Sequence, residues 1–409
     1  QMTDPLAYLE SLKINQAEMQ ELLIKWANIN SHSHNLDGLE AMLEKIKAQF
    51  IDLTNKHPHL KLNIETPELI KHLTIDSKGN EIELSLGKAL RVRKLNTASN
   101  ARRVLLMGHM DTVYPVDSKF QSCTLTDEHT LNGPGVADLK GGLVVMLKAI
   151  EILESSPYAS NIQWEVFINP DEEIGSPGSQ KLFSELATHN ELALIYEPSL
   201  SDGSIAYRRK GTGNFTLVVR GKAAHVGREF SAGASAILAA AEFIHQVNQF
   251  NSDSVTINFG KIEGGGALNV VPDLAILGIN IRVETNEDAS RIEKAFHDII
   301  AQLNLTENIE AKLYGNLNRK PKIPNNKLDE LYKSIAECAS ELGQSISKKD
   351  TGGCCDGNNL WEYGLVNIDT MGVRGGQIHS PQEFVCLDSL VERAKLSALF
   401  LMKLSNTHP

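Results

Sequence analysis

The chain has 409 residues, 42% of them hydrophobic, and a formal net charge of -11 at pH 7. That length exceeds one ordinary core, so two domains are the prior, and the apolar fraction is ample for burial. The acidic balance argues against a nucleic-acid surface or an anionic membrane and points to small molecules or peptides as partners.

No apolar stretch approaches the roughly 20 residues of a membrane span. The start Gln1-Met2-Thr3-Asp4 lacks the basic and apolar regions of a secretory signal. The cysteines, Cys123, Cys338, Cys354, Cys355 and Cys386, are odd in number and show no CxxC spacing. They suggest neither a disulfide framework nor a thiolate zinc knuckle, and a cytoplasmic location is the expectation.

In chain order, residues 16–50 read as helical, with Leu22, Leu23 and Trp26 and then Leu39, Met42, Leu43 and Ile46 at three- and four-residue spacing. Strand-like and helix-like segments then alternate to about Pro198, including an apolar helix over residues 139–153, which is the texture of a layered α/β domain. Between about Lys210 and Tyr314 the order changes. Strand 214–219, helix 232–247, strands 255–262 and 274–283, helix 289–303 and strand 309–314 form a β-α-β-β-α-β series, the ferredoxin-like unit. After the joint Arg319-Lys320-Pro321-Lys322-Ile323-Pro324 the α/β texture resumes with a helix over residues 328–342. The smaller unit thus reads as an insertion: residues 1–207 and 319–409 form one domain and residues 208–318 the other.

Four apolar runs each deliver a metal-type residue. Val104-Leu105-Leu106-Met107 leads into Gly108-His109-Met110-Asp111, residues 162–168 lead into Asp171-Glu172-Glu173, residues 192–196 lead into Glu197-Pro198, and residues 365–371 precede His379. Such runs read as buried strands, and ligands of open α/β sheets bind beyond the carboxyl ends of strands, so these residues are expected to meet at one rim.

Each residue also has a plainer reading. His109 suits a ligand with Asp111 as the acceptor orienting its ring, or a satisfied half-buried histidine. Asp138, delivered by the turn Gly133-Pro134-Gly135-Val136-Ala137, suits a carboxylate bridging two cations or a helix N-cap. The run Asp171-Glu172-Glu173 is a solvated loop, or else a pair of glutamates of which one binds metal and the other takes a proton from water. Glu197 and His379 suit either ligands or turn and loop residues. Jointly they supply one bridging Asp plus a His and a carboxylate for each of two cations, an inventory that fits zinc or a close relative. No HExxH, GxSxG or Walker A pattern competes.

The order and wording of these motifs resemble the M20 metallopeptidases and deacylases, a family that includes glutamate carboxypeptidase, acetylornithine deacetylase and succinyl-diaminopimelate desuccinylase. The similarity runs from Gly108-His109-Met110-Asp111-Thr112-Val113 through Asp171-Glu172-Glu173-Ile174-Gly175-Ser176, Glu197-Pro198, Gly221-Lys222-Ala223-Ala224-His225 and Asn269-Val270-Val271-Pro272 to Gly376-Gln377-Ile378-His379-Ser380. The resemblance implies a zinc-peptidase-like α/β catalytic domain with a mostly parallel sheet, and an inserted ferredoxin-like domain serving as lid and dimerisation surface.

It also implies two zinc ions per chain, with cobalt or manganese as substitutes. Asp138 would bridge them, His109 and Glu197 would complete one site, and Glu173 and His379 the other. Glu172 would be general base and acid, and Asp111 would orient His109. His225 would reach across a homodimer to the oxyanion, while Asn269, Arg282 and Gly353 would contact the substrate. The expected reaction is amide hydrolysis next to a free carboxylate, carboxypeptidase-like, on a small peptide. An N-acyl-amino-acid deacylase is the alternative, and a catalytically silent binding protein is the alternative of another class. The chain departs from the family at Cys354-Cys355, where small residues are usual before Asp356. Residues 201–210 also do not match the segment that recognises the glutamate side chain.

Overall fold

The computed structural model describes residues 4–408, and the Gln1-Met2-Thr3 start lies outside them. Its central sheet has six strands in the order Lys61–Glu65, Leu90–Leu95, Ile162–Asn169, Arg102–His109, Leu192–Ile195 and Asn367–Ile368. Arg102–His109 pairs in parallel with both neighbours, Asn367–Ile368 joins in parallel at one edge, and Leu90–Leu95 runs antiparallel to Ile162–Asn169. The sheet is therefore mostly parallel.

The inner strands Ile162–Asn169, Arg102–His109 and Leu192–Ile195 are mostly apolar and buried because both faces are covered. Val104 and Leu106 point into a core that includes the helices Leu36–Lys56, Lys140–Ser155 and Asp388–Leu404. Leu105 and Met107, one residue out of phase, point to the opposite face with Phe183 and Leu186 of the helix Gln180–His189 and with Leu360. Residues 16–50, read as one helical stretch, fold as two helices, Gln16–Ala27 and Leu36–Lys56.

A second sheet has four antiparallel strands in the order Val255–Gly264, Leu274–Val283, Gly211–Arg220 and Glu310–Arg319. The helices Ala236–Asn248 and Asn286–Leu303 bury Phe243 and Phe296 in a core of their own with Phe215. In chain order this is strand, helix, strand, strand, helix, strand, with the strand order of a ferredoxin-like fold. The chain enters this unit through Arg209 and leaves it through Lys322. Those two residues pair antiparallel, Arg209 N donating to Lys322 O at 3.1 Å and Lys322 N to Arg209 O at 2.9 Å.

Two further features had no counterpart in the sequence reading. A small sheet joins Thr130–Asn132 to Phe384–Cys386 and Gly375–Gly376, which brings the turn before Asp138 beside the loop bearing His379. A hairpin, His72–Ile75 with Glu81–Leu84, reaches the four-stranded sheet, where Arg220 Nη2 donates to Lys78 O at 3.1 Å. No helix among the described residues is long and apolar enough to cross a membrane.

Candidate metal centre

The centre lies at the carboxyl ends of adjacent parallel strands. His109 is the last residue of Arg102–His109, Glu172 and Glu173 follow Ile162–Asn169, and Glu197 follows Leu192–Ile195. The helix Lys140–Ser155 can pack close under this rim because Gly142 has no side chain: a Cβ there would sit 2.1 Å from Tyr196 O.

Asp138 is not a helix cap, since the residue at that position is Leu139 and no side chain fulfils the role. Its carboxylate instead lies between two histidines, Oδ1 at 3.0 Å from His109 Nε2 and Oδ2 at 2.9 Å from His379 Nε2. Glu197 Oε1 lies 3.3 Å from His109 Nε2, and Glu173 Oε2 lies 3.2 Å from His379 Nε2. Ligand atoms of His109, Asp138 and Glu197 fall within 4.8 Å of one another, as do those of Asp138, Glu173 and His379. A further group of His109, Glu172 and Glu173 overlaps them, and no cysteine joins any of these groups among the described residues.

Burial and crowding distort the proton affinities. Desolvation and the neighbouring Glu173 push the Glu172 carboxyl well up, against the pull of His109 and Arg319. Desolvation and Asp138 push Glu173 up to about 8. Desolvation raises Glu197 as well. Hydrogen bonds to Asp138 and Glu173 raise His379 to about 10. Burial would lower His109, but Glu197, Glu172 and the bonds to Asp111 and Asp138 outweigh it and hold it well up. Four acidic side chains thus converge on two imidazoles. This is the electrostatics of a set of hard oxygen and nitrogen donors that fits two divalent cations.

Of the run Asp171-Glu172-Glu173, only the two glutamates join the cluster. Asp171 turns away and accepts from Gly178 N at 2.7 Å and Ser179 Oγ at 2.6 Å. Asp111 touches His109 mainly through its backbone, whose oxygen lies 2.9 Å from Nδ1 while Oδ1 lies at 3.3 Å. Its carboxylate also accepts from Glu172 N at 3.2 Å, Glu173 N at 2.9 Å and Ser33 Oγ at 2.6 Å. It therefore anchors both the histidine and the glutamates.

A cavity of about 540 Å³ opens beside the centre, with Arg282, Gly353 and Cys354 in its wall. Arg282 lies on the strand Leu274–Val283, its Nη1 3.3 Å from Gly352 O. His225 and Asn269 are not in that wall. The His225 ring accepts from Gly227 N at 3.1 Å at the start of a short helical turn, and Asn269 O accepts from Val226 N at 2.9 Å. They sit together on the four-stranded unit, where His225 also bridges Val270. Cys355 is buried and caps the helix Asp356–Glu362 through Sγ, so it serves the packing of this loop.

The sequence reading missed two groups. Glu383 is buried and accepts from Gly135 N at 3.0 Å, Ala137 N at 3.0 Å and Asp138 N at 2.9 Å, which fixes the turn that presents Asp138. Arg319 donates to Glu172. Glu383 is a lone loop acid with no local signal, and Arg319 stands in the Pro-containing joint, where nothing in the sequence marks it apart from a connection.

The sequence model of peptidase family M20/M25/M40 matches residues 105–403. The chain belongs to that family. It is 26% identical over 308 residues to carboxypeptidase G2 of Pseudomonas sp. (strain RS-16), covering 74% of each chain. It is 28% identical over 300 residues to succinyl-diaminopimelate desuccinylase of Pseudomonas syringae pv. syringae, covering 68% of this chain and 76% of the other. Among solved structures, a tripeptidase from Staphylococcus aureus superposes with a TM-score of 0.74 at 23% identity, covering 96% of this chain and 100% of that one. A metallo-carboxypeptidase of the M20 family from Sulfolobus solfataricus gives 0.71 at 15% identity, covering 95% and 100%. At those identities the structural likeness establishes the fold alone. Membership makes the chain a metal-dependent hydrolase of the metallopeptidase and amidohydrolase class.

Proposed function

We propose that the chain is a dimeric two-zinc hydrolase that cleaves an amide bond next to a free carboxylate, as a carboxypeptidase does. The observation that carries this reading is Asp138 held between two His–carboxylate pairs, with Glu172 alongside and its Oε2 3.4 Å from His109 Nε2. His109, Asp138 and Glu197 would hold one ion and Glu173, Asp138 and His379 the other. Zinc is the expected metal, and cobalt or manganese would substitute.

Bound metal supplies Lewis-acid polarisation of the scissile carbonyl and makes water acidic enough to lose a proton near neutral pH. Glu172 takes that proton and returns it to the leaving amine, a role suited to a carboxylate whose proton affinity burial has raised. Arg282, in the cavity wall, offers a guanidinium fork to the substrate carboxylate, with Gly353 beside it.

His225 and Asn269 act, in this reading, on the cavity of a second copy, His225 as oxyanion donor. The same unit carries exposed apolar side chains, Phe230 at 64% and Leu238 at 71% exposure, and Val255–Gly264 is an uncovered sheet edge. Both features support a homodimer through residues 208–318, which would also work as the lid over the residues 1–207 and 319–409. The free cysteines fit a cytoplasmic location.

An N-acyl-amino-acid deacylase is the second reading, favoured by the similarity to succinyl-diaminopimelate desuccinylase. A silent binding protein would not need Glu172 beside the metal ligands. The test is amino-acid release from a panel of dipeptides and N-acyl amino acids, with zinc and after chelation. Chelator-sensitive release supports hydrolysis, and the best substrate separates peptidase from deacylase. No release by protein carrying two zinc ions would contradict the proposal.

A further inference from the structure

Arg319 closes the strand Glu310–Arg319, paired with Thr212 where the two crossings of the chain run side by side. It is buried, and its guanidinium points back into the α/β domain. Nη2 lies 3.0 Å from the Glu172 backbone oxygen and 3.2 Å from Glu172 Oε1. The same nitrogen lies 3.3 Å from Ser176 Oγ and 3.3 Å from Asp356 Oδ1, while Nε donates to Asn359 Oδ1 at 3.3 Å. Asp356 is itself fixed by Asn169 Nδ2 at 2.8 Å and Ser176 Oγ at 2.5 Å.

We propose that Arg319 is the positioning residue of the general base: it holds Glu172 by Oε1 from the end of the strand Glu310–Arg319 and leaves Oε2 aimed at the centre. The inference rests on the reading of Glu172 as base. The two N–H groups of Nη2 are shared among four acceptors, two of them on Glu172 itself. A cation at this point also offsets the repulsion between Glu172 and Glu173 without occupying a ligand position.

The test compares Arg319→Gln, Arg319→Lys and the isosteric Asp356→Asn in zinc-loaded protein, with zinc content and KM measured beside kcat. The expected result is a fall in kcat of about 100-fold for Arg319→Gln, the lower end of what a positioned general base contributes. Zinc content stays at wild type and KM moves by less than about threefold. Arg319→Lys, which keeps the charge and loses the fork, recovers part of the rate. Asp356→Asn, which loosens the anchor of Arg319, gives a smaller fall of the same kind and serves if Arg319→Gln fails to fold. In a Glu172→Gln background the Arg319→Gln effect disappears.

A rise in KM at unchanged kcat, an unchanged rate, or a full Arg319→Gln effect on top of Glu172→Gln overturns the inference. If Glu172→Gln alone retains full activity, the base assignment fails instead, which distinguishes the two.

Discussion

Asp138 gives one carboxylate oxygen to each of two histidines, His109 at 3.0 Å and His379 at 2.9 Å, although the histidines lie far apart in the sequence. A monodentate partner would serve one histidine. The geometry therefore predicts that Asp138→Asn weakens both metal sites together. Zinc titration of the variant should show affinity lost at both sites by on the order of 100-fold or more, beyond what is typical for loss of an outer partner. Loss at one site only would argue against a bridge.

Metal binding should depend on pH with a definite sign. In the metal-free chain His379 is raised to about 10 and Glu173 to about 8, so near neutrality both carry protons that a cation must displace. Raising the pH from 6 toward 8 removes that competition progressively, so zinc affinity rises with pH and binding releases protons. Calorimetry in buffers of different ionisation enthalpy would show this as a buffer-dependent heat. Affinity that is flat or falls over this range would contradict it.

Glu383 stands behind Asp138 and receives three backbone N–H groups of its turn, with Tyr114 Oη at 2.5 Å. Glu383→Gln replaces an acceptor-only group by one that brings its own N–H donors to this nest. The expected result is metal affinity lowered roughly 10- to 100-fold, as for other outer partners, with the fold retained. Circular dichroism and zinc titration together check it.

A second buried cluster, whose Arg209 also lines the cavity beside the centre, gives a test of stability. Arg209 meets Asp369 through Nε at 2.8 Å and Nη2 at 2.9 Å, and Lys322 Nζ lies 3.0 Å from Asp369 Oδ2. Burial pushes the Asp369 carboxyl up, but Arg209 and Lys322 outweigh it and hold it well below its ordinary value. A depressed folded pKa means the stabilisation is fully present above the unfolded value near 4 and is lost as pH falls through the folded one. Asp369→Ala leaves two buried cations unpaired and should cost about 3–5 kcal/mol in denaturant unfolding at neutral pH. A cost below about 1 kcal/mol would show the cluster to be solvated.

His225 tests the dimer. Its ring lies outside the cavity of its own chain. His225→Ala should lower kcat by about 100- to 1,000-fold, as removal of an oxyanion donor does. Mixed dimers of His225→Ala and Glu172→Gln subunits should regain part of the activity, because one of their two cavities then has both residues. No regain on mixing would remove the second copy from the site.

The convergence of His109, Glu172, Glu173 and Glu197 was legible because each ends or follows a buried strand and the parallel sheet places those strand ends side by side, whereas Asp138 and His379 arrive on loops. The β-α-β-β-α-β series was legible for the same reason, as periodicity switches between two and 3.6 within it. Contacts made by single loop side chains were not. Glu383 accepts from a backbone turn 245 to 248 positions away, and Arg319 donates to a residue 147 positions earlier. The inward turn of Asp171 was also hidden, since three adjacent carboxylates look alike until a local turn sends one to Ser179.

The most direct measurement is hydrolysis by zinc-loaded Glu172→Gln under single-turnover conditions, on the best substrate of the panel and with zinc content measured on the same sample. A proton-transferring Glu172 predicts wild-type zinc content, substrate still bound, and a rate reduced by about 100- to 10,000-fold. Hydrolysis at the wild-type rate with two zinc ions bound would contradict it.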